Sequence, residues 1–252
     1  MQRNKTAKNH MYNSFKWIGI CLFLSFAAVG QQNFFNVPSS DITPRNRVFF
    51  QQQLNFIPNG VQSGSTFCYG LGHNAEIGFN VMGVNYDYQQ KFVANHTEQP
   101  YNPFFTLNAQ KSFQLHEDFK IGLGAQAGFT QVGQGGTYLY GNGVYVNEHT
   151  HTKWVSGLYY TTDNYFGPES RNFAEDGALK SLGIQLGVEQ NIWEERLLFQ
   201  ADFISGKHSL GEVVIGGAYY MSKHWVLSVG IQIPTFNSQS QPASVFELTF
   251  VP

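Results

Sequence analysis

Ile77, Phe79 and Val81 alternate with Glu76, Gly78 and Asn80, one apolar position to each small or polar one. The same two-faced pattern recurs in about a dozen segments of the chain. A period of two sends alternate side chains to opposite faces of a sheet, so each segment predicts a strand. The expected strands run approximately 46–57, 64–71, 75–86, 103–114, 118–131, 137–147, 152–162, 180–190, 195–205, 211–221, 225–233 and 244–251. Segments near ten residues have the length at which a tilted strand crosses a bilayer. A sheet with one continuous apolar face and one continuous polar face closes most simply on itself, with lipid outside and water inside. The expected fold class is all-β: a transmembrane antiparallel up-and-down β-barrel of about 12 strands.

The links agree with this reading. Gly72-His73-Asn74, Leu115-His116-Glu117, Glu148 to His151, Asn191 to Glu194 and Ser222-Lys223-His224 are tight, with longer links at 87–102, 163–179 and 234–243 between them. Short turns at one rim, longer loops at the other and an even strand count characterise bacterial outer-membrane barrels. Trp154, Trp193 and Trp225 all lie beside the short turns, where an indole buries its ring at headgroup level and keeps its N–H wet. Tyr86, Tyr88, Tyr101, Tyr138, Tyr159 and Tyr160 fall toward the opposite rim and predict a second girdle.

Parity then assigns faces. Outward go residues such as Phe50, Phe79, Leu107, Leu123, Leu186, Phe199, Val229 and Phe246. Inward go Gln51, Gln53, Glu76, Asn80, Asn108, Gln110, Gln126, Gln185, Glu189, Gln200, Asp202, Gln232 and Glu247. The segments 138–145 and 213–220 are apolar on both parities, and Lys111 lands outward near the short-turn rim. Charged groups in a lumen tune which solutes pass, so the candidate ligand-binding set is Arg47, Glu76, Asn80, Lys120, Gln126, Glu189, Asp202 and Glu247. The competing reading is that these groups pair with one another and fill the interior. Gly122, Gly124, Gly128, Gly183 and Gly187 share the inward parity; they either ease strand curvature or let a loop or the 31–45 stretch lie inside.

Composition narrows the picture further. Only 13% of the 252 residues are charged, against roughly a quarter in ordinary soluble domains. Mean hydropathy is −0.25, and no apolar run after residue 30 approaches the ~18 residues of a spanning helix. Arg3, Lys5, Lys8 and Lys16 precede an apolar stretch from Trp17 to Val29 and the small-x-small Ala28-Val29-Gly30, the outline of a cleaved export signal. Met11 also fits as an initiator, and Cys21, with more apolar sequence after it in that stretch, does not fit a lipoprotein anchor. The expected organisation is a signal peptide over 1–30, an irregular periplasmic segment over 31–45 containing Pro38 and Pro44, and an outer-membrane barrel over 46–252. Taking the four leader cations from the 15 Lys+Arg leaves 11 against 17 Asp+Glu, a formal charge of −6, which gives no reason to expect nucleic acid. Cys68 is then the lone cysteine, so no intramolecular disulfide forms, and it reads as a small packed residue.

Little else carries chemistry. Glu148-His149-Thr150-His151 lacks a third spaced ligand cluster and reads as a polar turn, so no metal or cofactor is expected. The adjacent pair His208-Ser209 invites comparison with outer-membrane phospholipase, a twelve-stranded barrel with a His-x-Ser-Asn motif. Here no residue intervenes, no Asn follows, and nothing orients a base on a nucleophile, so no enzymatic activity is expected.

The run from Tyr69 to Phe79, Tyr-Gly-Leu-Gly-His-Asn-Ala-Glu-Ile-Gly-Phe, resembles a hairpin signature of bacterial outer-membrane barrels, among them phenol-degradation-pathway transporters. Asp202 to Gly211, followed by Tyr219-Tyr220, resembles a late hairpin of related Bacteroidota outer-membrane proteins. The resemblance implies a transporter-like barrel over 46–251, with no catalytic residues to carry over. The chain departs from the outer-membrane pattern at its end, where Val251-Pro252 follow Phe250. The expected function is to pass or bind a small solute through a polar lumen, with outer-membrane lipid as the surrounding partner. The alternative is a non-conducting assembly, adhesion or secretion accessory that presents loops 87–102 and 163–179. No feature of the sequence sets an oligomeric state.

Overall fold

The computed structural model describes residues 33–97, 101–166, 181–193 and 196–252. The expected signal peptide and most of the 163–179 loop lie outside them. The strands are β1 (Val48–Ile57), β2 (Gly60–Gly72), β3 (Ala75–Asp87), β4 (Lys91–Val93), β5 (Phe104–His116), β6 (Phe119–Phe129) and β7 (Gly135–Asn147). They continue with β8 (Thr152–Thr161), a one-turn helix α1 (Asp163–Phe166), β9 (Leu182–Trp193), β10 (Leu197–Ile204), β11 (Glu212–Tyr220), β12 (Trp225–Pro234) and β13 (Ala243–Phe250).

Closure is made by β1. It pairs with β2 on one side and with β13 on the other, where Phe50 faces Phe250 and Gln53 faces Glu247. Each later wall strand pairs antiparallel with its predecessor, β5 following β3, so the ring has twelve strands. β4 pairs only with the end of β3, Asn85 opposite Val93, and forms a hairpin off the wall. A closed ring leaves no edge, so every wall strand completes its backbone hydrogen bonds with neighbours.

The boundaries match the sequence reading within a few residues, with one exception. β2 begins at Gly60 rather than 64, so Pro58-Asn59 is a tight turn at the rim that carries the longer loops. At the other rim, His73 and Asn74 both hold φ near +55°, the conformation of a two-residue type I′ hairpin turn. The expected outward residues form an exposed apolar perimeter, with Phe79 at 48% and Leu107 at 65% exposure. Their inward neighbours are buried, Glu247 to 1%. Trp154, Trp193 and Trp225 are exposed beside the short turns, as expected. Lys111 also points outward and lies 5.4 Å from the Phe113 ring.

The second girdle needs correcting. Tyr86, Tyr88 and Tyr160 are exposed, but Tyr101, Tyr138 and Tyr159 are buried inside the barrel. Parity explains two of them, since Tyr159 must face opposite to its neighbour Tyr160, and Tyr138 opposite to the exposed Leu139. The two doubly apolar segments are resolved in the same way. Tyr138, Tyr140 and Val144 of β7, and Val214 and Ala218 of β11, face inward. Strands apolar on both faces mark the parts of the wall where the interior is itself apolar.

That interior is supplied by the N-terminal stretch. The sequence leaves the 31–45 stretch either periplasmic or inside the barrel, and residues 33–44 pack against the inner wall. Phe34 and Val37 join Val144, Val155, Tyr138 and Tyr159 in one buried cluster, and Phe35 packs with Val214 and Val245. Three apolar side chains in a short irregular stretch find no burial in water outside, and the doubly apolar strands offer it inside. Arginine at Phe79, stacked on Phe67 at 5.4 Å on the perimeter, is expected to cost about 2–4 kcal/mol at mid-membrane depth. A lowered urea midpoint for bilayer-inserted protein checks this; an unchanged midpoint would place Phe79 in a polar environment.

Candidate functional site

The segment enters at the short-turn rim. Asn46 N–H donates to Gly70 O at 2.9 Å and Gly70 N–H to Arg47 O at 3.1 Å, which pins residues 45–47 to the end of β2. From there the chain runs into the lumen and doubles back. Phe34 N–H donates to Val37 O at 3.0 Å, and Asn33 bridges Pro38. Asn33 reaches β1 through Gln51 Oε1 at 3.0 Å. Small residues of the wall admit the segment. A Cβ on Gly122 would fall 2.1 Å from Ser40 Oγ, and one on Gly187 would fall 2.4 Å from the Phe34 ring. Gly124 and Gly183 play a different part, leaving room for the Tyr140 and Tyr159 rings of adjacent strands, while Gly128 lies against Thr106 and Phe104.

Three ionic anchors hold the segment. Glu76 Oε2 accepts from both the Thr43 N–H and its hydroxyl, each at 2.7 Å. Asp202 Oδ2 accepts the backbone N–H of Asn36 at 2.6 Å and of Val37 at 2.9 Å. Asp41 runs the other way, with its carboxylate on the plug and the cations on the wall. Lys120 Nζ lies 2.5 Å from one oxygen and Lys153 Nζ 2.7 Å from the other. Burial alone would raise the Asp41 pKa, but the two ammoniums override it and hold the carboxyl well below its usual range. Charge-assisted bonds of this kind are roughly twice as strong as neutral ones. Asn142 Nδ2 to Pro38 O at 2.8 Å and Gln110 Nε2 to Asp41 O at 3.1 Å complete the grip.

The expected lumen residues divide accordingly. Glu76, Lys120 and Asp202 bind the segment. Asn80 and Gln126 belong to an amide network on the wall: Asn80 Nδ2 donates to Thr106 Oγ1 at 2.9 Å and to Gln126 Oε1 at 3.2 Å. Glu189 lies 3.6 Å from Lys153 and accepts from Gln200 at 2.8 Å. Glu247 accepts from Thr249 Oγ1 at 3.2 Å and Ser228 Oγ at 3.4 Å. Arg47 is the departure: it sits at the rim just before β1, exposed, and does not line the lumen. Parity counted back from Val48 fails there because the chain has already left the strand. Sequence reasoning missed Lys153, although the outward Trp154 beside it gave the signal. It also missed Asp41, which lies in a stretch without periodicity, and Glu212, whose carboxylate accepts from Asn36 Nδ2 at 2.8 Å and from the Ser240 hydroxyl.

Between plug and wall remains a cavity of about 50 Å³, bordered by Asn33, Pro38, Cys68, Asn80, Gln126 and Tyr140. Cys68 is buried there, with Sγ 3.7 Å from Asn108 Oδ1, in keeping with a packed residue. The space admits a few waters and no sugar-sized solute. Toward the longer-loop rim, α1 and the 205–211 loop fold inward. Phe166 stacks on His208 with centroids 4.2 Å apart, and Tyr165 donates to Gln126 Oε1 at 2.7 Å. His208 Nδ1 accepts the Leu210 N–H at 3.1 Å, so Nε2 carries the proton and meets the Tyr159 hydroxyl at 2.7 Å. That hydroxyl donates in turn to Ser205 O at 2.5 Å. Both ring nitrogens are therefore engaged away from Ser209, and the pair does not form a nucleophile with its base.

No protein-family model matches the chain, and no curated protein matches it in sequence. Solved structures do match in shape, among them porins. The KdgM porin aligns with a TM-score of 0.55 at 8% identity, over 81% of this chain and 99% of its own. The KdgM porin in complex with disordered oligogalacturonate gives 0.53 at 8%, over 81% and 98%. A NanC porin gives 0.50 at 7%, again over 81% and 98%. At such identities the likeness is one of fold: a closed twelve-stranded antiparallel barrel.

His208 supplies a pH prediction. Burial lowers its pKa from 6.5 to about 4, so the folded loop requires the neutral ring. Its contribution is complete above pH 6.5, falls as pH drops toward 4, and amounts to about 3 kcal/mol in all. NMR titration of the ring should give a midpoint near 4, with protection of the Leu210 amide lost on protonation. A midpoint at 6.5 would mean the ring is solvated.

Proposed function

We propose that the protein is an outer-membrane barrel that passes or binds small polar solutes through its lumen and rests with that lumen closed by residues 33–44. The supporting observation is the width of the bore. Eight-stranded barrels fill their interiors with wall side chains. Here the wall leaves room for a doubled-back stretch of backbone, tied to it by polar contacts that a solute can replace. The apolar perimeter and tryptophan rim support insertion in an outer membrane, and the likeness to porins supports solute passage. Oligogalacturonate, named with one of those porins, belongs in a test panel; so do aromatic acids, given the resemblance of residues 69–79 to phenol-pathway transporters.

A second reading has one observation in its favour. The β3–β4 hairpin leaves the wall and carries Tyr86, Tyr88 and Phe92 as an exposed aromatic group, with Phe92 stacked edge-on to Tyr86 at 5.4 Å. A non-conducting barrel that presents this hairpin to a partner accounts for it.

Planar-bilayer recording separates the two. The intact protein should give rare, brief openings, and protein lacking residues 31–44 a steady conductance at least tenfold higher, equivalent to about 1.4 kcal/mol in closure. Silence from both would end the solute-passing reading. Loss of partner capture on deleting residues 88–93, with solute uptake unchanged, would establish the accessory one.

A further inference from the structure

Asp41 occupies its place as a ligand would. Its carboxylate oxygens go separately to two ammoniums on different strands, Lys120 on β6 and Lys153 on β8. The Lys153 side chain is 9% exposed, so its charge is held in the wall and turned inward. Glu189, 3.6 Å away, offsets part of that charge and leaves the Lys120 side without a wall carboxylate within ion-pair range among the described residues. Gln110, reaching the Asp41 backbone carbonyl, adds an amide donor beside the pair. The Phe34 ring lies 5.3 Å from Lys153 Nζ and covers the site from the lumen side. The two fixed cations and the amide donor exist independently of the segment that uses them, because all three belong to the wall, while the ring comes with the segment.

We infer that Lys120 and Lys153 form a carboxylate-binding site in the barrel wall, filled in cis by Asp41, which accepts the carboxylate of a small organic acid when Asp41 is absent. Taking a carboxylate away from two partly buried ammoniums leaves their charge uncompensated, which is costly. A small acid supplies the same two oxygens. Chloride carries the charge but not the bidentate shape. The inference goes beyond the solute-passing reading and stands whether or not the barrel conducts. It implies that an organic acid reaching the lumen competes with the segment for its latch.

Cys68 offers a readout within the protein, since it is the one cysteine among the described residues and is buried beside Asn33 and Pro38. In the intact chain a small thiol reagent should modify it slowly. Asp41→Ala should raise that rate at least tenfold as the segment loosens. Acetate, compared with chloride at equal ionic strength, should return the rate most of the way to that of the intact chain, and Lys120→Gln added to Asp41→Ala should abolish the acetate effect. Asp41→Asn, which keeps shape and removes charge, provides the same test if the alanine variant fails to insert; heat-dependent gel mobility reports the folded barrel in each case. Equal protection by acetate and chloride would overturn the inference. So would an Asp41 variant labelled as slowly as the intact chain, because the latch would then lie elsewhere.

Discussion

Closure of the sheet between β1 and β13 is the constraint on which the rest of the molecule depends. In hydrocarbon an unpaired backbone amide costs several kcal/mol, so a spanning sheet has to return to its first strand. Once the ring is shut, the period of two fixes every side chain to one of two media. Apolar residues such as Phe79 and Leu186 take the outside because lipid accepts them. Glu76, Asp202 and Glu247 take the inside because lipid does not. The placement of both ends of the barrel at one rim follows from an even number of antiparallel passes, and the tryptophans at that rim follow from the preference of indole for the headgroup level.

The ring also creates a difficulty, since twelve strands enclose more space than their own side chains fill. The molecule resolves it with a stretch of its own chain. That stretch carries apolar side chains for the inward faces of β7, β8 and β11, backbone donors for Glu76 and Asp202, and one carboxylate for two lysines. Glu76, Asp202, Glu212, Lys120 and Lys153 of the wall each receive from it a partner of opposite polarity. The two doubly apolar strands and the glycines at 122 and 187 are the wall's complement to this arrangement.

The barrel was legible in the sequence because its grammar is local. Alternation around Ile77 to Val81 or Leu227 to Ile231 needs no knowledge of distant residues, and strand ends were readable from turn residues such as His73-Asn74. The filling of the lumen was only partly legible. The glycine parity and the Pro-rich stretch raised the interior placement as one of two options, yet nothing local distinguishes a segment in water from one inside a wall. Phe34 and Asp41 acquire their meaning only from Gly187 and from Lys120 and Lys153, more than a hundred positions away in two of the three cases. Tyr138 and Tyr159 misled for a related reason: tyrosine suits an interface as readily as an aromatic interior, and only the neighbours decide between them.

The attachment of the plug has a kinetic consequence. Residues 45–47 fasten it to β2 immediately outside its binding surface, so a withdrawn segment remains within a few nanometres of the lumen. A short tether of this kind holds its cargo at a local concentration in the millimolar range. A segment that withdrew would therefore return by a first-order event that dilution does not slow, and a competitor for its place would act only while the bore stood empty.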